Sequence, residues 1–500
     1  MKLIYLVFLF GLLFNNGNSE DTLVFLYTHF RHGARAPLNL DNNFNDMLNQ
    51  HWTNPGELTG IGQRMHYLLG LRNRIRYIKN KNFLSEKFDS HQILIYSSNL
   101  NRTMVSCSSQ LQGLYPQKDL KGETLTSEQQ KIAFPQVNVS DSEIQDAIED
   151  LENNSLPNSM IIAPVRMIND NDKKMNVYDL EECIEERNER KRKNRETIPI
   201  ISEEAKNFND KYGEKLNQFF NSYNKEYSFP EINDICDSFL SSYYDNKNLS
   251  NFESVGINLT EFDSYCWAYY RISYLYEFCG DEEKELAHVD SSKIMRELVY
   301  YIKRRLDADI TLEDEDSNLS DYSRPRWLMT SGHDSTVSMD QIFLFNALGL
   351  NETELYTFPR YSSQLALEVK KSKNNTSSYS DYYVNGFFDD KELFNVSADV
   401  FLEKVQKYVW SDEKVDEYCG FNENENKTEA RDNDDDDSDN AKKAYKALMI
   451  VFICLSAILL AFTIFLGYKL SQKNATRPPI HQSYIQNNQT NISTASNDKN

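Results

Sequence analysis

The sequence predicts an α/β fold: a Rossmann-like sheet flanked by helices, with an inserted, mainly α-helical cap and one C-terminal transmembrane helix. Three observations predict it. Apolar strand-like runs that end in a turn-rich loop and lead into helical spacing occur three times, beginning near residues 22, 92 and 327. That alternation marks a sheet whose chemistry sits at the carboxyl ends of its strands. Between the second and third repeats, residues 128–280 are helix-like, charged and rich in Tyr and Phe. Near the C-terminus, residues 447–468 carry no charge at all.

In chain order, Met1-Lys2 is followed by an apolar run at 3–13, then by Gly17 and Ser19. The run is too short to span a bilayer, and small residues follow it, so 1–19 reads as a signal peptide. Residues 22–30 (TLVFLYTHF) form a buried strand running into RHGARAP. Residues 59–78 show helical spacing of Met65, Leu68, Leu69, Leu71 and Ile75. A short strand at 92–97, a loop at 98–102 and a helix at 103–115 follow. Residues 327–331 (WLMTS) feed a loop at Gly332-His333-Asp334, then a helix to about Leu348, with Gly349 as its C-cap. Residues 365–369 form a later strand.

The expected division is therefore a discontinuous catalytic domain at 20–127 and 281–419, with the cap insertion at 128–280. The acidic run at 432–439 lies in a solvated stalk, 420–446. Residues 447–468 would make a helix of roughly 33 Å against a hydrocarbon core of ~30 Å. With the signal peptide, that span makes a single-pass type I membrane protein. Its ectodomain faces the lumen or the exterior, in a lysosome or vacuole or at the cell surface, and 469–500 is a disordered cytosolic tail.

The chain has 500 residues, with 54 Lys+Arg against 76 Asp+Glu and a formal charge of −22. That balance repels phosphate backbones and excludes a nucleic-acid partner. It does not exclude a small anionic substrate held by a local arginine cluster. Six of the seven cysteines lie outside the span, and an oxidising compartment permits three disulfides among them. No metal or redox cysteine spacing occurs. N-x-S/T sequons are frequent on both sides of the span, so an Asn-rich composition generates many by chance.

The chemistry concentrates in RHGARAP. It sets His32 between Arg31 and Arg35 just past a strand, with Gly33 allowing a tight turn. Guanidinium forks suit phosphate oxygens, and a neutral imidazole can attack phosphorus. Three further blocks follow: Leu58-Thr59 with Gly62, His66-Tyr67 and Leu69-Gly70; Ser98-Asn99-Leu100-Asn101-Arg102-Thr103 after QILIYS; and Ser331 to Ser338 (SGHDSTVS).

In kind and order these four blocks resemble the histidine acid phosphatases, a branch of the histidine phosphatase superfamily, over about 23–410. The resemblance implies a membrane-anchored acid phosphatase of the lysosomal or prostatic type, acting on phosphate monoesters. It implies His32 as nucleophile, forming a phosphohistidine, and Asp334 as proton donor. Arg31, Arg35, Arg102 and His333 would hold the phosphoryl oxygens. No cofactor and no metal are implied. The family resemblance suggests a homodimer, while the residues leave the oligomeric state open. Because arginines favour ionised Asp334 yet a donor must be protonated, an acid optimum is expected.

The sequence also departs from that pattern. Tyr96 stands where many relatives carry an arginine, which bears on substrate contacts. His29 replaces an apolar residue and reads as structural, as does His66. A glycan on Asn101 would block the site, so that sequon is expected to be unused. By resemblance, Cys419 bridges to a cap cysteine such as Cys183. Ser363 stands where a partner for Cys236 would be sought, which leaves that pairing open. Two alternatives remain: a phytase-like inositol-polyphosphate phosphatase on the same fold, and a catalytically silent surface glycoprotein that binds through the cap.

Overall fold

The computed structural model describes residues 22–39, 43–48, 52, 54–116, 124–133, 149–156, 162–168, 183–280, 284–311, 324–372 and 377–419. The expected signal peptide, stalk, span and tail lie outside the described residues. Among the described residues no helix is long and apolar enough to cross a membrane.

Burial on both faces makes β1 (Thr22–Arg31) a central strand: of its ten residues only Thr22 is exposed. The chain continues through α1 (Gly60–Asn73), β2 (Ile93–Ser98), α2 (Asn101–Leu114) and β3 (Arg166–Ile168). Next come α3 (Ile184–Thr197), α4 (Phe229–Tyr244), α5 (Leu259–Ile272), the long α6 (Glu285–Thr311), β4 (Trp327–Gly332) and α7 (Asp334–Leu348). It closes through β5 (Gln364–Lys371), β6 (Tyr382–Phe388), β7 (Lys391–Ser397) and α8 (Ala398–Tyr408). Gly349 ends α7 in the left-handed region, φ 73°, as a C-cap should.

The seven strands lie in the order β3-β2-β4-β1-β5-β6-β7. β1, β2, β3 and β4 run parallel, and the register aligns Arg31 with Gly332 and Ser97 with Ser331. The carboxyl ends of β1, β4 and β2 thus open on one edge, where a sheet of this kind forms its crevice. β5, β6 and β7 are antiparallel to their neighbours. The three strand–helix repeats account only for β1, β2 and β4. The β6–β7 hairpin turns at Asp389-Asp390, with Asp389 at φ 51°. β3 falls inside the stretch expected to be cap and extends the sheet edge.

Helices α4 and α5, with the short helices Asn43–Met47, Glu214–Phe219 and Ser250–Ser254, bring together an aromatic cluster. Phe44, Phe219, Phe239, Phe252 and Phe262 pack edge to face or tilted at centroid distances of 4.8–5.6 Å. This cluster is continuous with Phe25, Leu328 and Leu367 of the sheet. Offset and edge-on pairs of this kind contribute about 0.5–1.5 kcal/mol each beyond area burial.

Two disulfides form. Cys183 pairs with Cys419, 236 residues apart, as expected, and Cys236 pairs with Cys266 of α5. The six cysteines therefore make two bridges rather than the permitted three. Cys107 and Cys279 are buried thiols, Cys107 on the core-facing side of α2 and Cys279 3.1 Å from the Met339 sulfur.

Candidate active site

The loop after β1 is clasped to the start of α1. Thr59 caps that helix by accepting from the Gly62 N–H at 3.2 Å, and its own N–H donates to the Ala34 carbonyl at 3.0 Å. A Cβ on Gly33 would stand 2.4 Å from the Gly62 carbonyl oxygen, and one on Gly62 would stand 2.2 Å from that of Ala34. Both glycines are needed because two backbones touch. This replaces the expected tight turn as the reason for Gly33. Beneath the loop, buried His66 bridges the Arg31 carbonyl and Gln110 Oε1, each at 3.1 Å. Burial lowers its pKa to about 4, against which those two hydrogen bonds act only in part.

His32 is 2 % exposed, and its Nδ1 lies 2.8 Å from the Gly33 carbonyl oxygen. A carbonyl can only accept, so Nδ1 carries the proton and Nε2 keeps its lone pair. Burial, then the charges of Arg31, Arg102, Arg35 and His333, hold the imidazole well below its ordinary pKa. It is a neutral base inside a cationic ring.

That ring has its own supports. Arg31 donates to the Pro359 carbonyl at 2.8 Å and lies against Tyr361, with its guanidinium carbon 4.6 Å from the ring centroid. Arg35 meets Asp237 of α4 through both nitrogens, at 2.8 and 3.4 Å. The buried Nε atoms of Arg31 and Arg35 have no hydrogen-bond partner. Arg102 was expected in a loop but sits in the first turn of α2, because the helix begins at Asn101. Its Nη2 lies 3.5 Å from His333 Nδ1, and His333 Nε2 lies 2.8 Å from Ser98 Oγ.

Asp334 opens α7. Burial pushes its carboxyl up, but Arg31, Arg35, His333 and the Tyr274 hydroxyl together hold it below the ordinary carboxylate value. Behind it, His29 Nδ1 lies 2.7 Å from Asp340, which also accepts from Tyr27. His29 Nε2 lies 3.2 Å from Thr336 Oγ1, the atom that accepts the His333 N–H. The structural reading of His29 gains a specific partner set.

Arg31, His32, Arg35, Arg102, His333 and Asp334 line one cleft of about 320 Å³. Its other walls include Lys191, Asn233, Asp234, Asp237, Tyr270, Tyr274 and Phe278, all from α3 to α5 and the turn after α5. None of these was singled out from sequence, because they belong to no short motif. Tyr96, which was expected to bear on substrate contacts, is absent from the walls. Its ring lies 6.0 Å from the Arg166 guanidinium instead. The Asn101 amide donates to Glu57 at 3.1 Å, outside the cleft.

A buried histidine with one free ring nitrogen, ringed by guanidinium groups at the carboxyl ends of parallel strands, defines an anion-binding α/β site. A model of the histidine phosphatase superfamily (branch 2) matches residues 15–389, and the chain belongs to that family. It is 35 % identical to the lysosomal acid phosphatase of Xenopus laevis over 97 residues, 19 % of this chain and 21 % of that protein. It is 33 % identical to the prostatic acid phosphatase of Bos taurus over 103 residues, 20 % of this chain and 26 % of that protein. The matched stretches thus cover about a quarter of these relatives' length. In three dimensions the chain is similar to the phytase of Citrobacter braakii. That likeness has a TM-score of 0.51 and 14 % identity, and covers 80 % of this chain and 99 % of the phytase; it extends to the fold alone.

Proposed function

We propose that the chain is an acid phosphatase that hydrolyses phosphate monoesters through a phosphohistidine on His32. The observation that carries this reading is the His32–Gly33 hydrogen bond, which leaves Nε2 unprotonated amid three arginines. Nε2 donates its electron pair to phosphorus, and the ester P–O bond breaks. The departing oxygen takes the proton of Asp334. A water then attacks phosphorus from the side of the broken bond and gives its proton to the Asp334 carboxylate. The P–N bond returns its pair to Nε2, and orthophosphate leaves. Arg31, Arg35, Arg102 and His333 face the oxygens on which negative charge spreads, where fixed donors act most strongly. The unpartnered Nε atoms of Arg31 and Arg35 are donors ready for such an anion.

A monoester fits the cleft better than a polyphosphate. Beyond the phosphate-facing set, its walls present two carboxylates, Asp234 and Asp237, against one cation, Lys191. The leader at 1–19 and the apolar stretch at 447–468 support an anchored protein with its catalytic part at 20–127 and 281–419 outside the cytosol. The cap would close over it from 128–280. The acidic compartments of the lysosomal relative suit the protonated Asp334 that the reaction needs.

The test is p-nitrophenyl phosphate hydrolysis by the full chain in detergent, wild type beside His32→Ala, from pH 4 to 8 with a chelator present. Chelator-insensitive turnover that peaks below pH 6 and is lost in the variant supports the proposal. Equal rates in both proteins would refute it.

A further inference from the structure

The two oxygens of Asp334 meet different neighbours. Oδ1 accepts from the Tyr274 hydroxyl at 2.9 Å and from the Ser335 N–H at 2.9 Å. Oδ2 lies 2.6 Å from Arg31 Nη2. Tyr274 reaches Asp334 from the π-helical turn Ser273–Phe278, which continues α5. Such turns shift side chains off the α-helical spacing and recur at functional sites. Its ring stacks on Phe278 at 4.4 Å with 6° between planes, and tilts against Phe358 at 4.9 Å. Aromatic contacts on two sides fix where the hydroxyl points.

We propose that Tyr274 is a positioning residue for the proton donor: with the Ser335 N–H it holds Oδ1, so that Asp334 carries its transferable proton on Oδ2. The inference rests on the phosphatase reading of the site.

A neutral carboxyl has one O–H and one bare oxygen. Two donors converging on Oδ1 make it the bare one. Oδ2 is held by Arg31. An arriving phosphoryl group brings oxygens that compete for that guanidinium, and negative charge that favours the neutral carboxyl. Oδ2 is released where the ester enters. Its O–H bond breaks as the P–O bond breaks, and the leaving oxygen gains the proton. In the second half-reaction Oδ2 takes the proton back from water. Without the Tyr274 hydroxyl, the proton has two sites, one of them turned from the substrate.

The charged and titratable groups facing Asp334 are Arg31, Arg35, His333 and Tyr274, with Tyr270 and Tyr356 in electrostatic reach. The Tyr274 O–H favours the ionised carboxylate, so removing it raises the pKa of Asp334. Activity needs the protonated form and is lost as pH rises through that pKa. The alkaline limb therefore moves up.

The experiment is the pH profile of kcat for glycerol 2-phosphate, whose alkoxide leaves only with a proton, using the full chain and Tyr274→Phe. That variant keeps the ring and its stack. The expected result is an alkaline limb displaced upward by about 0.5–1 pH unit, a plateau lowered about tenfold and a KM changed less than about twofold. Limb position does not depend on how much protein is folded, so it reads the role even if the variant is less stable. Phe278→Leu, which keeps the hydroxyl but removes one of the two contacts that aim it, should move the limb in the same direction by a smaller amount. An unmoved limb in Tyr274→Phe overturns the role of Tyr274 alone. Absence of turnover in the wild type overturns the phosphatase reading and this role with it.

Discussion

Arg31 and Asp334 stand 2.6 Å apart, a guanidinium and a carboxylate joined within the cleft. The pair is partly buried, with the Arg31 side chain 3 % and the Asp334 side chain 20 % exposed. On the proposed mechanism, substrate binding would break this pair, and the negative charge of the ester would drive the freed carboxylate toward protonation.

Asp334→Asn should lower turnover of alkyl phosphates by about 10²–10⁴-fold, the usual range for a lost general acid. The same variant should bind orthophosphate more tightly than wild type, because no carboxylate competes for Arg31. Competitive inhibition by phosphate measures the second effect. Weaker phosphate binding would mean that Asp334 shapes the pocket rather than competing within it.

The pH profile should be asymmetric in a stated way. Burial and the arginines lower His32, so its neutral form persists in acid, and the acid limb should fall well under pH 6.5, the ordinary histidine value. Burial raises Asp334, but the arginines outweigh it and hold it low in the free enzyme. Bound substrate reverses that. The alkaline limb of kcat, read on the complex, should lie at higher pH than that of kcat/KM. Coincident limbs would count against the Arg31 exchange.

Asp237→Asn should weaken the empty protein more than the occupied one. Asp237 accepts from both terminal nitrogens of Arg35 and from the Leu38 N–H at 2.9 Å. The amide leaves a buried cation uncompensated, at a cost of about 1–3 kcal/mol. Orthophosphate can supply the missing charge. Thermal unfolding should show a lowered Tm without phosphate and a larger gain on adding it than wild type shows.

His66 predicts an acid weakness. Burial lowers its pKa to about 4 in the folded state, against an ordinary value of ~6.5 unfolded. For a base lowered by folding, stability is complete above the unfolded value and declines as pH falls toward the folded one. Between pH 6.5 and 4.5 this group alone should cost about 2–3 kcal/mol. His66→Gln should flatten the Tm-against-pH curve over that interval.

The parallel half of the sheet was legible because β1, β2 and β4 are apolar runs that end at motif residues. Of the antiparallel half only β5 was, as the strand expected at 365–369. β6 and β7 carry Asn385, Gly386 and alternating polar residues around an Asp-Asp turn, a weak strand signal until β5 pairs with them. The six site residues were visible because each neighbours a strand end in a short motif. Tyr274, Asp237 and Lys191 were not, since long-range folding alone brings helical positions of an aromatic, charged stretch over the sheet. His29 was read as structural from its place on a buried strand. Its link through Thr336 to the His333 backbone depends on the β1–β4 register, which a single sequence does not specify.

The Cys183–Cys419 bridge closes a ring of chain that contains the cleft's helical walls, β4, α7 and the β5–β7 strands. A single protease cut anywhere between those two cysteines opens the ring without releasing a fragment. Nicked molecules would therefore migrate as one species until reduced, and then separate into two. Turnover by such nicked protein would trace the integrity of the aromatic core rather than the continuity of the backbone.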